Sequence, residues 1–358
     1  MSSVVHLATA YRSVPAPKLA LLGTGVVGRA FVARYQRLQQ SGHSLPAFAW
    51  LSNSRALRYC DDLPARALEE ARASTLEAGV LPPWAETEAL RRGDVLVDAT
   101  ASENVADWHA IWLARGVHVV TANKLGYGGA LSRAGAIAEA RQEGNTRYGD
   151  SATVGAGLPL LRSLRELVAG GDRIHRVEGV LSGSLAWLFN HYDGMRPFSG
   201  FVRQARQLGY TEPDPRLDLS GEDVRRKLLI LARAAGSPLH AEAVQVESLV
   251  PKTLVAFPLE EIDEGLELLD EPLAARFKDA HRDGAKLRFI GRFDEHGAHV
   301  GVRALPAEHP LCGGGGADNR VAIFSDRYSE QPLVIQGPGA GAEVTAAALL
   351  DDVLGVCA

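Results

Sequence analysis

Lys18-Leu19-Ala20-Leu21-Leu22-Gly23-Thr24-Gly25-Val26-Val27-Gly28 is the stretch that decides the fold. Its first five residues form a short apolar run that stops at glycine, the pattern of a buried strand. Apolar positions then recur at Val27, Ala30, Phe31, Tyr35 and Leu38, which is helical spacing, and Gly42 offers a stop. Between strand and helix lies a GxGxxG loop. The first glycine permits a tight turn, the second lets a pyrophosphate approach the backbone, and the third lets helix pack on strand. The helix N-terminus then presents free N–H groups to the diphosphate. A lone GxGxxG is weak evidence, but set between a strand and an amphipathic helix it is a dinucleotide fingerprint. Gly23, Thr24, Gly25, Val26, Val27 and Gly28 are therefore the candidate cofactor loop.

Outward from this unit the pattern repeats. Strands are expected at 47–51, 95–99 and 117–121. A helix is expected from an N-cap at Asn104 through Val105, Trp108 and Trp112 to Gly116, and another over 130–142. Alternating strands and helices imply right-handed βαβ units around a parallel sheet, a Rossmann-type domain. Thr100 follows the 95–99 strand and so belongs beside the cofactor. After about residue 150 the style changes: a helix over 159–169 with Pro159 at its first position, a strand over 174–181, and an antiparallel hairpin over 286–305. A strand at 333–336 and a helix at 344–354 return to the first style. The fold class is α/β. Residues 1–150 and 334–358 are expected to form the dinucleotide-binding domain, and 151–333 a second, α+β domain with a mostly antiparallel sheet.

Composition narrows the function. The chain has 358 residues, 38 Lys+Arg against 43 Asp+Glu, a net charge of −5, and 46% hydrophobic residues. That balance builds a sizeable core and argues against nucleic-acid or anionic-membrane partners, which reward clustered cations. No apolar run reaches the length of a membrane span. Val4–Ala10 is apolar apart from His6, but nothing basic precedes it, so it reads as an arm and not a signal peptide. Three scattered cysteines (Cys60, Cys312 and Cys357) fit a reducing, cytoplasmic setting. The 11 histidines show no HxxxH or HExxH spacing with acids, which argues against a catalytic metal.

The residues after the second strand bear on the cofactor. An acid there would accept the ribose 2′-hydroxyl of NAD. This chain has Ser52-Asn53-Ser54-Arg55, so no carboxylate repels a 2′-phosphate and Arg55 can pair with one. NADP(H) is favoured, with NAD(H) left open.

The most unusual segment runs Leu208-Gly209-Tyr210-Thr211-Glu212-Pro213-Asp214-Pro215-Arg216-Leu217-Asp218-Leu219-Ser220-Gly221-Glu222-Asp223-Val224-Arg225-Arg226-Lys227. Pro213 and Pro215 hold it extended. Ser220 with Asp223 reads as a capping box opening a helix, on which Asp223 and Lys227 share a face. Three cations in its first turns oppose the helix dipole, a local preference set aside beside a dense acid cluster.

With Thr121-Ala122-Asn123-Lys124, Val154-Gly155-Ala156-Gly157-Leu158-Pro159, Gly179-Val180-Leu181-Ser182-Gly183-Ser184 and Gly339-Ala340-Gly341 beside it, this segment closely resembles the homoserine dehydrogenases, above all the dehydrogenase portion of the bifunctional aspartokinase–homoserine dehydrogenases. The resemblance covers nearly the whole chain. It implies reversible, NAD(P)H-dependent reduction of L-aspartate 4-semialdehyde to L-homoserine. It further implies Lys227 as proton donor, with Lys124 and Asp223 completing the catalytic set. Glu212 and Asp223 would hold the substrate ammonium, with Asp218 in support. Gly183 and Ser184 would offer donors, and Thr100, Lys124 and Gly341 would line the cofactor. Asp214 receives no role. Some relatives hold a monovalent cation with a Glu before the Val-Gly-Ala-Gly run and nearby carbonyls. Here Ser151 stands in its place, Asp150 is the candidate substitute, and any cation would lie near Val154 and Ala156. The Gly313–Gly316 run departs from relatives without a functional reading.

Two other readings compete. Another Rossmann amino-acid dehydrogenase has no need of the Glu212, Asp218, Asp223 and Lys227 set, and a non-catalytic dinucleotide sensor would dispense with the lysines. Relatives dimerise through a sheet near the hairpin, and an uncovered hairpin edge invites pairing, so a homodimer is expected. About 17 residues precede the first strand, which suggests a stand-alone dehydrogenase with weak or absent threonine feedback.

Overall fold

The computed structural model describes residues 16–60, 63–75 and 89–357, and the expected N-terminal arm lies outside them. Two sheets of six strands organise these residues. The first contains β1 (Lys18–Leu22), β2 (Ala47–Ser52), β3 (Leu57–Tyr59), β4 (Val95–Asp98), β5 (His118–Thr121) and β6 (Tyr148–Gly149), in the order β3-β2-β1-β4-β5-β6. All its pairings are parallel except β2 with β3. β1, β4 and β5 are buried on both faces, which is why they read as continuous apolar runs. Leu19, Leu21, Val95 and Val97 pack with the Val26–Gln40 and Ala342–Cys357 helices, while Ala20, Leu22 and Leu96 face Trp112 and Ile137 on the other side.

The strand order reverses between β1 and its neighbours β2 and β4. In open α/β sheets ligands bind at such a switch point, outside the carboxyl ends of the strands. Gly23, Thr100 and Lys124 all stand just past those ends.

The second sheet contains β7 (Ile174–Val180), β8 (Val244–Val246), β9 (Ala285–Asp294), β10 (Gly297–Pro306), β11 (Asn319–Ser325) and β12 (Leu333–Gly337), in the order β12-β11-β7-β9-β10-β8. Only β8 with β10 is parallel. Strand alternation gives the sheet two unlike faces. Val177, Phe289, Phe293, Val300 and Val321 pack under the helices, while Arg176, Glu178, Arg288 and Arg292 take the other side with Ile290 and Phe324.

Four local expectations are corrected. Ser102, not Asn104, caps the Glu103–Ala114 helix: its backbone is extended and its Oγ accepts the Val105 N–H. Pro159 is the N-cap of the Leu160–Ala169 helix and not its first residue. The strand expected to rejoin the nucleotide layer, β12, instead pairs antiparallel with β11, and only the Ala342–Cys357 helix packs back. The 286–305 hairpin edge is not bare, because β8 covers Ala298–Val300. Among the described residues, no helix is long and apolar enough to cross a membrane.

Candidate active site

In the candidate cofactor loop the three glycines have unlike surroundings. Gly23 has φ +101°, a left-handed conformation that L side chains avoid, and a Cβ there would lie 2.7 Å from the Ala99 carbonyl oxygen. A Cβ on Gly28 would overlap the Gly23 carbonyl oxygen, so only glycine lets this helix approach its own loop. Gly25 is different: no atom lies within 4 Å of where its Cβ would be. It is the N-cap of the Val26–Gln40 helix, carries no side-chain cap, and leaves the first N–H groups facing open space. That cradle fits a dinucleotide diphosphate. Val26 beside it is largely exposed.

Thr24 is buried, and its hydroxyl accepts from Asn53 Nδ2 at 2.9 Å. Asn53 also donates to the Ala71 carbonyl and accepts from the backbone of Arg55 and Ala56. It ties the end of β2 to the glycine loop, a role that its place in a Ser-Asn-Ser run did not disclose. Arg55 is exposed at the tip of that turn. Thr100 is half-buried; its N–H bonds the buried carboxylate of Asp98 and its hydroxyl accepts from Ser102 N.

The two candidate lysines come from different layers. Lys124 follows β5. Asn123 is buried behind it, donating to the Ser102 carbonyl and accepting from Leu125 N, and so fixes the turn that aims the lysine. The next four residues, Leu125–Gly128, form a short helix against the Glu222–Ala234 helix. The approach is close enough that a Cβ on Gly128 would sit 2.9 Å from the Arg226 carbonyl oxygen. Lys227 lies one turn into that second helix, with less than a tenth of its side chain exposed. Its Nζ donates to the Leu181 carbonyl at 2.7 Å and to Asp223 Oδ2 at 2.8 Å. The other Asp223 oxygen lies 3.4 Å from Lys124 Nζ. One carboxylate thus bridges two ammoniums. Desolvation pushes the Asp223 pKa up, but Lys227 and Lys124 more than reverse it and hold the carboxyl well below its ordinary range.

The expected capping box is absent. Gly221 is the N-cap, at φ +78°, and Ser220 Oγ donates to the Leu217 carbonyl. Asp223 turns to the two lysines instead of closing a cap. Arg225 pairs with Glu222 at 2.6 Å, which softens its clash with the helix dipole.

Around this bridge the remaining residues fall into two groups. Asp218 Oδ1 accepts from Ser184 Oγ at 2.6 Å and Oδ2 accepts from the Glu212 N–H at 2.9 Å. Both of its oxygens are spent on positioning, while the Glu212 side chain is exposed. Gly183 and Ser184 open the Gly183–His191 helix, capped by Ser182. Gly341, at φ +124°, precedes the Ala342–Cys357 helix with open space around it. Asp214 folds onto Arg216 and stays local.

The Asp150 substitution for a cation-binding Glu does not hold. Arg165 takes both Asp150 oxygens, at 2.6 and 2.7 Å, and the carboxylate is buried under it. Ser151 bonds Asp352 of the C-terminal helix through both N–H and hydroxyl. Beyond them Val154 is fully buried and Ala156 takes φ +50°. Among the described residues no group of three or more His, Cys, Asp or Glu is placed to hold a metal ion.

Comparison with known proteins agrees with this geometry. Residues 159–354 match the homoserine dehydrogenase family model and residues 23–148 match the homoserine dehydrogenase NAD binding domain. A homoserine dehydrogenase of Emericella nidulans is 34% identical over 94% of this chain and 97% of its own length. The chloroplastic bifunctional aspartokinase/homoserine dehydrogenase 1 of Arabidopsis thaliana is 45% identical over 73% of this chain, and the match spans only 29% of that longer protein. The crystal structure of a Candida auris protein of unknown function superposes with a TM-score of 0.84 at 34% identity, covering 95% of this chain and 98% of that one. With a nicotinamide-dinucleotide domain, a two-lysine centre and these matches across both layers, the chain belongs to the homoserine dehydrogenase family.

Proposed function

We propose that this chain catalyses the reversible reduction of L-aspartate 4-semialdehyde to L-homoserine. The observation that carries the proposal is the Asp223 carboxylate bridging Lys124 and Lys227 beside the switch-point crevice. When bound, the reduced nicotinamide cofactor supplies a hydride to the aldehyde carbon. The developing alkoxide needs a proton and positive charge. Lys227 has one N–H on Leu181 and one on Asp223, leaving the third for the substrate oxygen. Lys124 adds a second cation without competing for the same oxygen of Asp223. Glu212 and Asp223 receive the substrate ammonium. Asp218 keeps the Glu212 backbone and the Ser184 hydroxyl in place, and the first N–H groups of the Gly183–His191 helix face the substrate carboxylate.

The cofactor preference in this reading is NADP(H). The turn after β2 carries the exposed Arg55 and no acid, an arrangement that accepts a 2′-phosphate. The reading includes a homodimer formed through the second sheet near the 286–305 hairpin. Solution scattering that returns a monomer mass overturns it.

One assay tests the main claim: oxidation of NADPH by aspartate semialdehyde, for the wild type and Lys227→Ala. An inactive wild type defeats the proposed reaction. A fully active variant defeats only the donor assignment.

A further inference from the structure

Behind Lys227 lies a residue that the reaction scheme leaves unused. Asn319, the first residue of β11, is fully buried. Its Nδ2 donates to the Leu181 carbonyl at 3.2 Å, the same oxygen that receives Lys227 Nζ at 2.7 Å. Its own Oδ1 is buried without a hydrogen-bond partner among the described residues. On the far side Gly339 lies flat against the amide, and a Cβ there would overlap the carbon, nitrogen and oxygen of that group.

A buried amide with an unmet acceptor is a poor way to fill space. An apolar side chain of similar volume would pack without that cost. What an apolar residue cannot supply is the N–H that holds the Leu181 carbonyl from one side while Lys227 holds it from the other. A carbonyl has two lone pairs, and here each is assigned. We infer that Asn319 is a positioning residue for Lys227: it fixes the carbonyl against which the ammonium is set, and Gly339 clamps it there. The inference rests on the reading of Lys227 as proton donor. It also gives a role to Gly339 of the Gly339-Ala340-Gly341 loop, which leads from β12 into the helix that returns to the nucleotide layer.

The test is Asn319→Leu, assayed for NADPH-dependent reduction of aspartate semialdehyde and for thermal unfolding. The expected result is a melting temperature equal to or above that of the wild type, an unchanged KM for NADPH, and a kcat lower by about tenfold or more, as small misplacements of a reacting group cost. Made in a Lys227→Ala background, the same change is expected to leave the residual rate where it was. Should Asn319→Leu fail to fold, Gly339→Ala serves instead, since its Cβ displaces the amide without removing it, and the same loss of kcat is expected. A wild-type kcat in either folded variant overturns the inference, as does an undiminished effect in the Lys227→Ala background. A fully active Lys227→Ala single variant would instead identify the donor reading as the error and take this inference with it.

Discussion

Gly128→Ala offers a severe test of how the two lysines are brought together. In an ordinary helix this exchange is favourable, by about 1 kcal/mol of helix propensity. Here the new Cβ would meet the Arg226 carbonyl oxygen at 2.9 Å, Ile230 Cδ1 at 3.2 Å and Arg226 Cβ at 3.3 Å. All three belong to the Glu222–Ala234 helix, and the nearest is backbone, so no rotamer change relieves it. Restoring a normal separation of about 3.5 Å moves the short Leu125–Gly128 helix away by roughly 0.5 Å. Overpacking of this kind costs about 1–3 kcal/mol, so the net loss after the propensity gain is up to about 2 kcal/mol. For a domain of this size the melting temperature should fall by up to about 8 °C. The same shift lengthens the Lys124–Asp223 contact from 3.4 Å. A misplacement of about half an ångström at the reacting centre corresponds to roughly a tenfold lower kcat. The measurement is thermal unfolding by circular dichroism with NADPH oxidation at saturating substrate. Gly135→Ala is the internal control: it sits in the Leu131–Gly144 helix with nothing within 4 Å of its Cβ position, and should be stabilised by about 0.4–1 kcal/mol at full activity. If Gly128→Ala behaves like Gly135→Ala, the close helix approach does not set the lysine geometry.

Further outcomes concern the cofactor loop and the charged groups. Gly28→Ala should abolish NADPH binding in a fluorescence titration, because its Cβ overlaps the Gly23 carbonyl oxygen; retained affinity would count against the loop assignment. Arg55→Ala should raise KM for NADPH and leave KM for NADH unchanged, and equal effects on both would remove the 2′-phosphate argument. Asp223→Asn should lower kcat/KM by about a hundredfold or more, read in steady-state kinetics, since two ammoniums lose their common partner. Asp352 behaves oppositely to Asp223: burial first, then Asp150, raises its pKa to about 6 against the hydrogen bonds from Ser151 and the charge of Arg165. A raised carboxyl destabilises the fold above that pKa and not below the unfolded value near 4. Asp352→Asn should therefore melt higher than the wild type at pH 8, by the equivalent of roughly 2 kcal/mol or less, with the advantage gone by pH 4. A constant difference across that range would show that Asp352 does not titrate in the window its surroundings impose.

The linear sequence determined whatever depends on neighbours along the chain. The glycine loop, its strand and its helix were legible because turn, close approach and helix start all fall within eleven residues, Lys18 to Gly28. The hairpin was legible from two alternating runs about a short turn, and Asp223 with Lys227 from the four-residue helical repeat. The resemblance to homoserine dehydrogenases added the roles of residues far apart in the chain. Two readings fail for one cause. The capping box at Ser220 and the free Asp150 rest on neighbours along the chain, and each acid instead meets a distant cation: Asp223 meets Lys124 and Asp150 meets Arg165. The strand at 333–336 fails for another reason: β12 pairs with its chain neighbour β11, so the antiparallel layer receives it and the nucleotide layer does not. Tertiary structure alone decided that Lys124 and Lys227 share one carboxylate. It also decided that Gly128 sets their separation, that Asp218 is spent on Ser184 and Glu212, and that Asn319 stands behind the carbonyl holding Lys227. The physical reason is that a hydrogen bond or ion pair is specified by both partners. A single chain position discloses its own chemistry, and only packing chooses which other chemistry it meets.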